Sequence, residues 1–311
     1  MTKQFTNNTR KGNKIDLYQE VTNKIITLLE QGVTPWRCPW NRYGLARNYA
    51  TNHIYTGINA FLMNLTPHPI PYFMSFKQIK AKGGKIKKGA KAEKVYFYKT
   101  LFKDQDEKLV GAEQAKALQG MGEEVQTIPM LKYYNVFNVS DVEGVEINIP
   151  EVELKDHQKL KKCEAVIKQM PNAPEFVFED ANRAYYAPIS DKLNMPAIGQ
   201  FKTAEDYYFT LFHELTHCTG HQSRLNRKGI AEVKPFGSPE YSREELIAEM
   251  GASFLSAQVG INHDELEENS AAYLQGWLSV LKADKKLIFK AAAQTQKATD
   301  FILGINRKYE N

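Results

Sequence analysis

The sequence predicts an α+β protein of two domains, the first built on a mostly antiparallel sheet and the second around a metal-binding helix. Three observations predict it. Aromatic and β-branched runs at residues 95–98 and 133–139 stand among glycine turns in the first half, as strands do. Residues 213–217 read His-Glu-Leu-Thr-His, inside a helical pattern, in the second half. Charge divides at the same place. Residues 1–150 carry 21 Lys and Arg against 13 Asp and Glu, so the basic excess of a chain of net charge +5 lies in its first half. A length of 311 residues suits two ordinary domains, expected at 1–145 and 150–311.

The elements follow in order. A helix is expected over residues 15–32, where Leu17, Val21, Ile25 and Leu28 share a face and Gly32 ends it. After the strand at 95–98 comes a short polar helix within 111–125, then the strand at 133–139. Strands at 175–178 and 184–188 precede the metal helix. Thr203 and Asp206 form a T-x-x-D capping box, which starts that helix at Ala204. Phe209, Phe212 and Leu215 are spaced to face a core, and Gly220 suits the helix end. A further helix starts with Ser238 as N-cap and Pro239 at its first position, and runs to Gly260. A later start, with Ser242 and Glu245 as its capping box, is the blander reading of the same stretch.

Two histidines four apart on one helix project from one face, so His213 and His217 can reach a single ion. Glu214 lies beside that ion and can take a proton from water as a general base. A third protein ligand is still needed, because catalytic zinc keeps three and leaves one position open. Glu245 and Glu249 share a helix face downstream. Glu245 is assigned to the metal and Glu249 to holding a ligand histidine from behind, although spacing alone leaves the reverse assignment open. Ser223 stands where a third histidine would lie in the metzincin pattern. His221, beyond Gly220, is expected at the pocket rim, and Tyr241 or Tyr185 is a candidate for assisting the oxyanion. The ligand set suits zinc, with manganese or cobalt as alternatives.

Between Lys77 and Lys99 stand nine lysines and one acid, Glu93. Such a surface can neutralise phosphates. Trp36, Trp40 and Tyr55 are interleaved with Arg37 and Arg42, a mixture that can stack single-stranded bases while holding the backbone. Lys77, Lys85, Lys87, Lys88 and Lys91 complete the candidate DNA contacts. The same aromatics also suit the packing of a small domain. Nothing resembles a recognition helix, which favours single strands over duplex. No apolar stretch approaches a membrane span, and the first residues lack the apolar core of a secretory signal. Three scattered cysteines (Cys38, Cys163, Cys218) fit a reducing compartment, so a cytoplasmic location is expected.

The chain resembles the ArdC antirestriction proteins of conjugative plasmids and is similar to the N-terminal part of TraC-type plasmid primases. The resemblance rests on Pro35-Trp36 with Pro39-Trp40-Asn41, Tyr55-Thr56-Gly57-Ile58-Asn59, and residues 83–89 and 134–139. It continues through Ala184-Tyr185-Tyr186, the 213–217 motif, Thr219-Gly220-His221 and residues 244–249. It implies a single-stranded-DNA-binding domain, a zincin-like metallopeptidase domain, and protection of incoming plasmid DNA against restriction. Cys218 stands where the family often has an apolar aromatic, and residues 103–125 lie outside the resemblance. Two other readings stay open: a DNA-coating protein whose metal site is structural or inactive, and a DNA-targeted cytosolic peptidase acting on a protein or peptide.

Overall fold

The computed structural model describes residues 16–31, 45–66, 68, 70–149, 156–178, 183–231, 238–261 and 270–307, with backbone alone at 64, 156–159 and 270–274. Helix α1 (Leu17–Glu30) starts where the Asp16 carboxylate accepts from the amides of Tyr18 and Gln19. Its buried stripe is Val21, Thr22, Ile25 and Leu29, one position round from the expected Leu28. Next in order come β1 (Arg47–Asn48), α2 (Gly57–Asn64), β2 (Tyr72–Ser75), α3 (Phe76–Ala81), β3 (Lys85–Ile86), β4 (Glu93–Lys103), β5 (Leu109–Val110), α4 (Ala112–Gly120), β6 (Gln126–Asn138) and β7 (Val142–Glu143).

Five of these strands form a sheet of order β1-β2-β6-β4-β5. Only the β1–β2 pairing is parallel. The β4 and β6 strands pair along their lengths from Glu93↔Val136 to Lys103↔Gln126, much farther than the short apolar runs suggested. The extension has no alternating apolar pattern because none of those positions is buried on either face. Helix α4 falls in the excursion between β5 and β6.

The second half contains α5 (Asp156–Gln169), β8 (Glu175–Val177), β9 (Tyr185–Ala187), β10 (Lys192–Asn194), α6 (Ala204–Cys218), α7 (Lys228–Ala231), α8 (Pro239–Val259), α9 (Ser270–Ala283) and α10 (Leu287–Ile302). The small sheet has the order β8-β10-β9. Strand β10 escaped the sequence reading because three residues carry too little periodicity.

Helix α8 is buried almost throughout, which joins the two halves. Leu246, Ile247, Met250 and Phe254 share an apolar core with Phe73, Val95, Tyr96 and Val136 of the large sheet and with Trp277, Leu287 and Ile288. Ala252, Leu255 and Val259 enter a second core with Leu211, Phe212 and Leu215 of α6. Fully burying one such leucine or phenylalanine contributes about 1.5–3 kcal/mol, so α8 is held from two sides. Tyr55 corrects an expectation here. Its place among cations predicts base stacking, but it is 4% exposed and its ring packs edge-on to Phe73. Burial pushes its hydroxyl pKa up to about 12, and it serves the core rather than a ligand.

Candidate metal centre

Helix α6 begins at the Thr203–Asp206 capping box and ends at Thr219. Gly220 follows, for space rather than for a left-handed turn: a β-carbon there would meet Ile230 Cγ1 at 2.6 Å. Helix α8 begins with the Ser238 hydroxyl accepting from Tyr241 N, and ends at Gly260 in the left-handed region (φ 82°). Ser242 and Glu245 therefore lie inside the helix and are buried, so the later capping box does not form.

These helices bring His213, His217 and Glu245 together, with one ligand atom from each within 4.8 Å of the others. The two Nε2 atoms are 3.1 Å apart. Glu245 presents Oε2 at 3.5 Å to His213 Nε2 and Oε1 at 3.5 Å to His217 Nε2. Tetrahedral zinc with bonds of about 2.0–2.1 Å sets ligand separations of about 3.3–3.4 Å, so this donor set fits such an ion. A neutral imidazole with Nε2 as ligand carries its proton on Nδ1. Both Nδ1 atoms face a carboxylate: Glu249 Oε1 at 3.8 Å from His213, and Glu244 Oε1 at 3.5 Å from His217.

Glu244 and Arg227 are the residues that sequence reasoning missed. Arg227 is buried and its guanidinium forks onto Glu244, with Nε at 3.1–3.2 Å from the two carboxylate oxygens and Nη2 at 2.5 Å from Oε1. Its other donors reach Thr219 Oγ1 at 2.6 Å and Thr216 O at 2.7 Å. Burial opposes the charge on Glu244, but Arg227 and His217 outweigh it and hold the carboxyl below its usual range. Burial likewise opposes protonation of both histidines, but the surrounding carboxylates raise both, His217 well above its ordinary value. Burial also opposes charge on Glu245, and the two histidines hold its carboxyl low.

The ligands open onto a cleft of about 480 Å³. Glu214, Tyr185 and Tyr241 line it too, whereas His221 does not and instead pairs with Ser223. Strand β9 contributes Tyr185 and Tyr186 to the wall. Lys77, Lys85, Lys87, Lys88 and Lys91 are all exposed on the other half of the molecule. Trp36, Arg37, Trp40 and Arg42 lie outside the described residues.

Residues 15–137 match the family described as the N-terminal domain of anti-restriction factor ArdC, and residues 163–294 match the zincin-like metallopeptidase family. The crystal structure of the antirestriction protein ArdC from plasmid R388, in its Mn(II)-bound form, is 34% identical. It superposes with a TM-score of 0.72 over 94% of this chain and 98% of that one. The chain belongs to the ArdC antirestriction family. The metal-free ArdC structure matches equally, at 33% identity and TM-score 0.72 over 93% of this chain and 97% of that one. A DNA primase TraC of Escherichia coli is 31% identical over 95% of the chain. This ArdC-type chain spans only 28% of the length of that primase. Among its described residues no helix is long and apolar enough to cross a membrane.

Proposed function

We propose that this chain is a two-part antirestriction protein, with residues 1–145 binding single-stranded DNA and residues 150–311 carrying a metallopeptidase site. The convergence of His213, His217 and Glu245, with Glu214 lining the same cleft, carries the reading. Three protein ligands leave a position free for water or substrate, as catalytic sites do and structural zinc sites do not. The donor set suits zinc, and manganese or cobalt as well.

A divalent ion held there supplies a Lewis acid that acidifies water and polarises a scissile carbonyl. Glu214 acts as the general base, taking the proton from the attacking water and passing it to the leaving amine. Glu249 and Glu244 stand behind the Nδ1 atoms of His213 and His217, and their negative charges favour the tautomer that carries the proton there and leaves Nε2 for the site. Strand β9 pairs with β10 alone among the described strands. Its other edge supports binding of an extended peptide by backbone pairing beside Tyr185. Tyr241 or Tyr185, both of which line the cleft, is the candidate donor to the oxyanion.

Purified Glu214→Gln protein tests the reading when bound metal, peptide hydrolysis and antirestriction are measured together. The expected result is retained metal with hydrolysis and protection both lost. Full protection without hydrolysis would leave the DNA-binding half as the whole of the biological activity.

A further inference from the structure

A second cleft, of about 690 Å³, lies on the cationic half, far from the metal ligands in sequence. Asn48, Thr51, His53, Phe76, Gln78 and Tyr134 line it, with Lys77 beside them. We propose that this cleft, between Phe76 and Tyr134, receives one unstacked base of single-stranded DNA. The inference rests on the DNA-binding reading above and locates its contact.

Two rings stand ready as stacking surfaces. Phe76 is 52% exposed and Tyr134 is 43% exposed, unusual for aromatics with a large core to enter. Tyr134 lies on the sheet face that also carries Val95 and Val136, both buried, so its exposure is not set by register. It pairs with Val95 and shares a face with Phe97, whose ring lies 6.1 Å away and is also exposed. Tyr96 and Tyr98 point the other way, Tyr96 buried against Phe289 and Tyr98 exposed beside Tyr18. Aromatics left in solvent beside lysines match the chemistry of a base with its phosphate, and the charges are complementary.

The polar lining is built rather than incidental. Asn48 is 6% exposed and forms a reciprocal amide pair with Gln78: Nδ2 donates to Gln78 Oε1 at 3.0 Å, and Gln78 Nε2 donates to Asn48 Oδ1 at 3.1 Å. Asn48 Oδ1 also accepts from Ala50 N, Thr51 N and Thr51 Oγ1. Gln78 Oε1 also accepts from Ser75 N at 2.8 Å. The acceptors are thus taken. The second hydrogen of Asn48 Nδ2 is turned to the Tyr55 hydroxyl, whereas Gln78 Nε2 commits one of its two hydrogens among the described residues and has one left to offer. Base edges present ring nitrogens and carbonyl oxygens, the complement of such a lining.

Fluorescence anisotropy of the full chain tests this, with an oligothymidylate and an abasic strand of equal length as probes. Phe76→Ala and Tyr134→Ala are each expected to weaken oligothymidylate binding roughly 5- to 100-fold. The slope of affinity against salt should stay unchanged, since no phosphate contact is removed. Tyr134→Phe should bind as the parent does. The abasic strand should bind weakly to the parent and show no further loss in the alanine variants. If the parent binds both strands equally, or the alanine variants bind oligothymidylate like the parent, the cleft proposal is overturned while DNA binding stands. If the parent binds neither strand at any salt, both fall together.

Discussion

Gly251 of α8 stands directly against Thr216 of α6: a β-carbon on the glycine would meet Thr216 Oγ1 at 2.4 Å and Cγ2 at 2.5 Å. Thr216 cannot yield, because it is fully buried and donates to Phe212 O at 2.7 Å. This contact sets how closely the two helices approach, and therefore whether Glu245 reaches the histidines. Alanine in place of Gly251 would gain up to about 1 kcal/mol of helix propensity. Overpacking costs about 1–3 kcal/mol and is expected to win. Gly251→Ala should lower both the Tm and the affinity for a titrated divalent ion. A variant as stable and as tight-binding as the parent would remove this role for the glycine.

Glu214→Gln keeps the size of the side chain and removes its basicity. Metal content, read by elemental analysis, is expected to match the parent because Glu214 is outside the converging ligand set. Peptide hydrolysis is expected to fall by about 10²–10⁴-fold, the range for loss of a general base. Hydrolysis at the parental rate would reject the assignment.

Arg227 and Glu244 should behave as one unit. Arg227→Met leaves the buried Glu244 carboxylate without its main partner and is expected to cost about 3–5 kcal/mol. Adding Glu244→Gln should recover part of that loss, a non-additivity that denaturant titrations of both single variants and the double variant can measure. Glu244→Gln alone is expected to weaken metal binding by about 10–100-fold, through the freed His217 ring. Strict additivity would mean the two side chains do not act through each other.

The metal-free protein should lose stability as pH rises. His213 and His217 have raised pKa values, so their contribution is complete below the unfolded value near 6.5. It is lost as pH climbs through the raised folded values. Glu245 is lowered, so its contribution is present above the unfolded carboxylate range and lost only in acid. Ion binding requires neutral imidazoles, so added metal should stabilise more as pH increases. Thermal unfolding with and without ion, from pH 6 upward, reads both trends. A metal-induced shift that shrinks with rising pH would contradict this placement of the protons.

The exposed lysines should act through phosphate. Replacing Lys85, Lys87 or Lys88 by glutamine is expected to weaken single-stranded DNA binding alike for all sequences. Each lost contact should lower the salt slope by about 1. Binding that ignores salt in the parent would exclude a phosphate-neutralising surface.

Much of the metal helix was legible because its signals are local. The Thr203 box, the spacing of Phe209, Phe212 and Leu215, and the four-residue step from His213 to His217 all act within about one or two turns. The same holds for Ser238, Pro239 and Gly260 at the ends of α8. Arg227 was not legible, because only the turn after α6 folds it back onto Glu244. Glu244 was hidden by its neighbour: a step of about 100° round the helix turns it to the far side of His217. Tyr55 misled because an aromatic among cations reads the same whether it stacks on a base or on Phe73.

Chain order alone determined the helix carrying His213, Glu214 and His217, the acidic helix after it and the lysine-rich stretch before them, since each is set by neighbours a few residues apart. Only the tertiary structure decided that α8 would lie within a glycine's width of α6. Only it decided that each imidazole would be backed by a different glutamate, and that Phe76 and Tyr134 would be left in water while Tyr55 was not. Those outcomes depend on packing between segments far apart in the chain, where steric fit and desolvation act and local spacing has no say.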